Sequence, residues 1–268
     1  MKKFLIFLLI LVIGFIAYRY FSGNDQGLFS FLEKSSIPLK YETVIFEKAY
    51  GDCDSEEAPC ATVKLEYPVF ENRDGVVILP TVQSTVTKLI LNAGMDEGDN
   101  MTSDDLYNNF VNDYKGILAD FTDYFIRWGL TREVKVIRND GKYLTFLFYE
   151  YSFAGGAHPN YTTTFYNYNL VTNKVLALKD IILDGAYSEL TKIAEKKFRE
   201  KREMNADESF AEAGFWFEDN AFILNENFCL TDSSLKFFFN SYEIAPYALG
   251  TTEIAIPFEE LKNILAIQ

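Results

Sequence analysis

The chain holds a single histidine, His158. Catalysis of the Ser-His-Asp or Cys-His type must therefore use that residue or be absent. Basic residues are also scarce, with 25 Lys and Arg against 39 Asp and Glu, for a formal charge of −14 at pH 7. The first 21 residues carry Lys2, Lys3 and Arg19 and no acid, so removing those three positive charges leaves −17 on the remainder. Phosphate binding needs clustered Lys and Arg, which argues against a nucleic-acid partner. So acidic a surface suits a cationic partner, or serves solubility alone. There is no internal repeat and no low-complexity tract. At 49% hydrophobic and 16% aromatic, the composition is that of a folded protein.

Cysteine is sparse as well. Cys53 and Cys60 bracket an acidic, proline-containing turn between two strand-like runs, at 41–50 and 61–67. That spacing predicts a disulfide clipping a hairpin tip, in an oxidising compartment. Cys229 is left over and is expected to be buried in a strand. The three cysteines and one histidine cannot complete four sensible zinc ligands. Asp52, Asp54, Glu56 and Glu57 fit no calcium-loop register and read as a solvated acidic tip. No metal and no cofactor is expected.

The longest apolar run, residues 4–17, follows Lys2 and Lys3 and leads into Tyr18-Arg19-Tyr20-Phe21. Its layout is that of an export signal or a short membrane anchor. No small-x-small cleavage site follows. An uncleaved single-pass anchor over 1–21, with the bulk of the chain extracytoplasmic, is the favoured reading; a cleaved signal and a secreted or periplasmic product is the alternative. No cysteine lies beside the run, so no lipid-modified terminus is expected. Residues 22–39 read as a linker.

Periodicity orders the rest. Helical spacing predicts a helix at 80–93 closed by Gly94, then a second opening at Thr102 or Ser103. The second is expected to bury Leu106, Phe110, Ile117, Leu118, Phe121 and Phe125. The period becomes two at Arg132, and Asn139-Asp140-Gly141 marks a hairpin turn. The strand after it is apolar on both faces, with Leu144, Phe146 and Phe148 one way and Tyr143, Leu147, Tyr149 and Tyr151 the other. It should be central and covered on both sides. Its return runs at 161–170. An amphipathic helix from Tyr187 to about Glu203 follows, then strands near 221–224, 227–230, 235–239 and 252–256. Pro257 opens a closing turn of helix. The expected class is α+β, with two small contacting lobes, 40–170 and 171–268, each an antiparallel sheet with packed helices, behind an N-terminal apolar helix.

Between the central strand and its return stands Gly155-Gly156-Ala157-His158-Pro159-Asn160. Two glycines permit positive φ, and the proline fixes its own φ and pushes His158 out of the helical region. A histidine so placed more often pins a loop through hydrogen bonds than acts as a base. Tyr247-Ala248-Leu249-Gly250 reads as a second shaped loop. The candidate binding residues are Gly155, Gly156, His158, Asn160, Tyr247 and Gly250; the two loops are expected to lie near one another and form a recognition edge. The competing reading is that both are fold-defining turns. No catalytic residue is singled out, because the acids are many and no pair stands apart.

Several segments taken together carry a family resemblance. They are the Cys-loop-Cys before a strand ending in Tyr67-Pro68, the strand into Gly155-Gly156-Ala157-His158, Asn167-Tyr168-Asn169, Leu178-Lys179-Asp180-Ile181, the run from Tyr242 to Gly250, and Ile254-Ala255-Ile256-Pro257-Phe258. This set resembles the extracytoplasmic domain pair shared by RsiV-type lysozyme-sensing anti-sigma factors and the noncatalytic region of PdaC-type peptidoglycan deacetylases. The resemblance implies an envelope-facing binding module; in the anti-sigma branch its ligand is lysozyme, usually a cationic protein. Only three residues precede the apolar run, so no sigma-binding segment is expected. One histidine cannot supply the deacetylase's paired metal ligands. The expected protein is a membrane-tethered binder of a lysozyme-like hydrolase or cell-wall glycan, with a carboxylate-dependent envelope enzyme or a structural component as alternatives.

Overall fold

The computed structural model describes residues 37–71, 78–94, 101–121 and 126–267. The expected anchor, all but the end of the linker, and Phe125 lie outside the described residues.

Six strands form the first sheet: Tyr41–Gly51 (β1), Cys60–Phe70 (β2), Trp128–Asn139 (β3), Tyr143–Phe153 (β4), Asn160–Asn169 (β5) and Lys174–Val175 (β6), in that order across it. Neighbours run antiparallel except β2 and β3, which pair in parallel from Ala61 opposite Trp128 to Glu66 opposite Glu133. This corrects the expected all-antiparallel lobe. The physical reason is the long crossover between these strands, which carries the helices Ile78–Asn92 (α1) and Ser103–Asp120 (α2) and returns the chain to the same end of the sheet. Past Glu66 only β1 still pairs with β2, and there Pro68 is tolerated without its N–H.

Alternation puts Val63, Leu65, Leu130, Val134, Leu144, Phe146, Phe148 and Tyr168 on one sheet face, against Val82, Val86, Leu89 and Ile90 of α1. At the helix end, the Nη1 of Arg132 donates to the carbonyls of Ile90 (3.0 Å) and Leu91 (2.7 Å), while its Nε donates to Glu150 Oε2 (2.6 Å). Helix α2 begins at a Thr102 capping box with Asp105, as its sequence predicts. Its buried face matches the expected one in part: Leu106 and Phe110 pack partly buried against the core. Val111 and Tyr114 are buried and Phe121 is 60% exposed. Tyr114 can go inside because its hydroxyl accepts from the Cys60 N–H (3.0 Å) and donates to the Ile126 carbonyl (3.1 Å). Cys53 and Cys60 are disulfide-bonded at the β1–β2 tip.

The second sheet, in the order β7-β8-β9, is built from Phe228–Leu230 (β7), Ser234–Phe239 (β8) and Thr252–Pro257 (β9). It shares a phenylalanine-rich core with the helix Tyr187–Lys201 (α3), in which Phe198 meets the rings of Phe210, Phe215, Phe217, Phe222 and Phe239. The expected strand at 221–224 does not form. Asp219 (φ 51) and Asn220 (φ 56) turn the chain left-handed just before it, and Phe222 and Leu224 reach the core from irregular backbone. Cys229 lies buried in β7, and burial pushes its thiol up to about 12.

The lobes meet along the free edge of β5, where asparagine side chains take the place of a neighbouring strand. Asn240 Oδ1 accepts from the Thr163 N–H (2.8 Å), and Asn227 Oδ1 accepts from the Phe165 N–H (2.9 Å). Both amide groups donate to the Thr163 carbonyl. Asn167, 2% exposed, donates to the Phe228 carbonyl (2.7 Å) and accepts from the Leu230 N–H (2.9 Å). The second lobe covers only one end of the other sheet face. Tyr143 and Thr145 are buried there, but Leu147, Tyr149 and Tyr151 remain half-buried, which corrects the expectation that β4 is covered on both sides throughout.

Candidate functional site

The two loops singled out by sequence come together at the outer end of this seam. From β4 the chain turns through Gly155 (φ 89) and Gly156 (φ 106). A Cβ on Gly156 would meet nothing within 4 Å, so backbone direction and not crowding calls for glycine. The turn delivers His158 onto Tyr247, their rings stacked at 3.9 Å between centroids and 16° between planes. His158 Nδ1 lies 3.0 Å from the Pro159 carbonyl oxygen. A carbonyl can only accept, which assigns the hydrogen to Nδ1. In the neutral ring Nε2 then accepts from the Tyr242 hydroxyl, also at 3.0 Å. The Tyr247 hydroxyl donates to the same Pro159 carbonyl at 3.3 Å.

Tyr242, in the left-handed region at φ 66 and 53% exposed, completes the cluster at 5.6 Å from the Tyr247 ring. It was not among the residues the sequence singled out. Gly250 (φ 64) closes the short 3-10 turn Tyr247–Leu249 by donating its N–H to the Tyr247 carbonyl. Asn160 is exposed and opens β5 opposite Ser152, flanking the cluster. Thus His158 and Tyr247 are in contact, three glycines shape their loops, and Asn160 stands beside them.

The aromatic surface continues onto the half-open sheet face. Tyr151 and Tyr161, opposite one another in the β4–β5 register, lie 5.4 Å apart. Tyr151 lies over Gly129, where an added Cβ would come within 3.1 Å of its ring. Burial is the main cause that raises the Tyr149 hydroxyl above its ordinary pKa, with the neighbouring Tyr161 and Glu133 adding to it.

This is an aromatic, hydrogen-bonding edge and not a nucleophile with its base. The ring nitrogens of His158 are engaged by a carbonyl and a phenol, and among the described residues no carboxylate orients the ring for base catalysis. Among the described residues, no group of three or more His, Cys, Asp and Glu side chains is placed to hold a metal ion. Among the described residues, surface hollows lie elsewhere. One, of about 420 Å3, runs along α3 beside Lys192, Lys196 and Met204. Another, of about 250 Å3, lies between Leu178, Ile182, Tyr187 and Glu226.

Two family models match this chain. Residues 54–161 match that of the deacetylase PdaC, and residues 179–259 match that of a protein family of unknown function, DUF3298. The peptidoglycan-N-acetylmuramic acid deacetylase PdaC of Bacillus subtilis (strain 168) is 23% identical over 252 residues, which cover 90% of this chain and 48% of that protein. The chain therefore spans about half the length of this curated relative. A solved DUF3298 family member from Bacteroides fragilis superposes with a TM-score of 0.62 at 22% identity, covering 85% of this chain and 94% of the other. A DUF3298 family protein from Pseudomonas aeruginosa PAO1 does so with a TM-score of 0.59 at 21% identity, covering 86% and 96%. These likenesses show the α+β fold. His158 lies within the first matched segment, and Tyr242 and Tyr247 within the second.

Proposed function

We propose that this protein is a cell-envelope binding module, tethered by its N-terminal apolar run with the described lobes outside the membrane, that holds peptidoglycan glycan at the His158–Tyr242–Tyr247 edge. The observation that carries the reading is the stack itself. Two loops from different lobes bring three rings and their polar atoms to an exposed rim, and flat aromatic surfaces with hydrogen-bonding margins suit the apolar faces and hydroxyls of a sugar chain. The likeness to PdaC, whose name gives peptidoglycan as its substrate, supports the same ligand class. The disulfide fits an oxidising location.

A second reading, that the edge recognises a cationic lysozyme-like hydrolase, is favoured by the charge of −14. Calorimetric titration of the full chain, in detergent, with soluble peptidoglycan fragments and a panel of lysozymes separates the two. Saturable binding of fragments with weak salt dependence supports the glycan reading. Lysozyme binding that weakens between low and physiological salt supports the second. Absence of heat with both ligand classes would leave neither reading standing.

A further inference from the structure

The far edge of the first sheet carries a feature that ligand recognition does not use. Among the described residues β1 has a neighbour on one side only, and it is an 11-residue strand without proline or bulge. The direction of its backbone groups follows from two hydrogen bonds. The Glu71 N–H donates to the carbonyl of Lys40, which stands opposite it in the extended register, so even-numbered residues face β2. The carbonyl of Ala49 instead accepts from the Tyr107 hydroxyl, so odd-numbered residues face outward. The N–H and C=O groups of Thr43, Ile45 and Glu47 therefore point away from the sheet, and no described residue pairs with them. The Ile45 side chain is 61% exposed at the centre of this stretch. Protein edges of this length are usually blunted or covered, because such a row of groups is a template for another strand.

We propose that β1 pairs antiparallel with β1 of a second copy of this chain, about a two-fold axis at Ile45. Outward residues must meet outward residues, which leaves few symmetric registers, and charge selects among them. With Ile45 opposite Ile45 of the second copy, Thr43 meets Glu47, and Glu42 meets Lys48 twice, once on each side of the axis. Sliding by two residues one way sets Lys40 against Lys48; sliding the other way sets Glu42 against Tyr50. Within Tyr41–Gly51, only the Ile45-centred register pairs opposite charges, and there Lys48, already paired with Asp104 of α2, gains Glu42 as a second acid. The two acidic chains repel at long range, and physiological salt screens that repulsion beyond about 8 Å. Because β5 lies four strands from β1, the dimer holds its two aromatic edges at opposite ends, roughly 40 Å apart at ordinary strand spacing. One glycan strand or two could then be held bivalently.

The test uses the full chain in detergent at physiological salt, carrying Ile45→Cys and treated with a short bis-maleimide. Cys229 is buried, and the parent chain measures its background. Ile45→Cys should give covalent dimer. Thr43→Cys and Glu47→Cys should each give little alone and several-fold more when mixed. In sedimentation, Ile45→Pro should convert dimer to monomer while keeping the far-ultraviolet spectrum, since the N–H it removes points away from β2. A monomeric parent chain, a dimer indifferent to Ile45→Pro, or cross-linking that ignores the register would each overturn the proposal.

Discussion

Gly51 is the residue on which the disulfide-clipped tip depends most directly. It sits at φ 86 opposite Cys60, and an added Cβ would stand 2.0 Å from the Pro59 carbonyl oxygen. Backbone cannot yield as a side-chain end can, so Gly51→Ala should cost more than about 2 kcal/mol, read as a lowered urea midpoint. Asp140 offers a pH-dependent counterpart. Burial disfavours its charge, but N–H groups of Tyr143 and Lys142 and the Arg138 guanidinium outweigh that and hold its carboxyl below the ordinary 3.8. Its folded pKa is thus the lower one, so it stabilises the fold above pH 3.8 and that contribution is lost as pH falls through the folded value. Asp140→Asn should destabilise the protein at neutral pH and flatten the acid limb of its stability curve. At this scale the sequence was informative where chemistry is local. The Asn139-Asp140-Gly141 turn, the Thr102 cap and the Cys53–Cys60 pair follow from a few adjacent residues. Tyr242 was not legible, because nothing near it in the chain announces that its hydroxyl will meet a histidine 84 positions away.

Elements were legible where one period dominated and blurred where partners decided. β4 follows the expected hairpin turn and α3 stands close to its expected bounds, since their apolar stripes are long. The face of α2 was placed only in part, because tyrosine counts as polar in a pattern and as core once its hydroxyl is satisfied, as Tyr114 shows. The parallel pairing of β2 with β3 is a tertiary choice that alternation cannot encode. Between elements, Arg132 ties the end of α1 to β3 and β4 through two carbonyls and Glu150. Arg132→Leu should cost about 3 kcal/mol by leaving that carboxylate and those carbonyls unpaired. The double change with Glu150→Leu should cost less than the sum of the single ones, as a thermal-denaturation cycle would show.

For the whole molecule, the seam along β5 determines whether the two lobes present one continuous aromatic edge. Asn167 is its buried centre, joined to Thr145, Phe228 and Leu230 at once. Asn167→Leu should leave these groups without partners, cost about 2–4 kcal/mol, and speed amide exchange in β7 before it does so in β3. The α+β class and the proximity of the two loops were readable from the chain. The amide ladder that brings the loops together was not, because asparagines scattered over 167, 227 and 240 resemble ordinary loop and strand-end residues until the fold aligns them. The PdaC and DUF3298 matches lie on either side of this seam, so the edge is expected to be lost when the lobes separate even if each stays folded.

The most direct test of that edge is titration of peptidoglycan fragments into the parent chain and into Tyr242→Ala, with the melting temperature of each recorded. Tyr242 is more than half exposed at 53%, so its truncation should leave the melting temperature nearly unchanged. Affinity should fall at least about tenfold, or roughly 1.4 kcal/mol. Unchanged affinity at unchanged stability would contradict it, and would make the stacked loops a device of the fold alone.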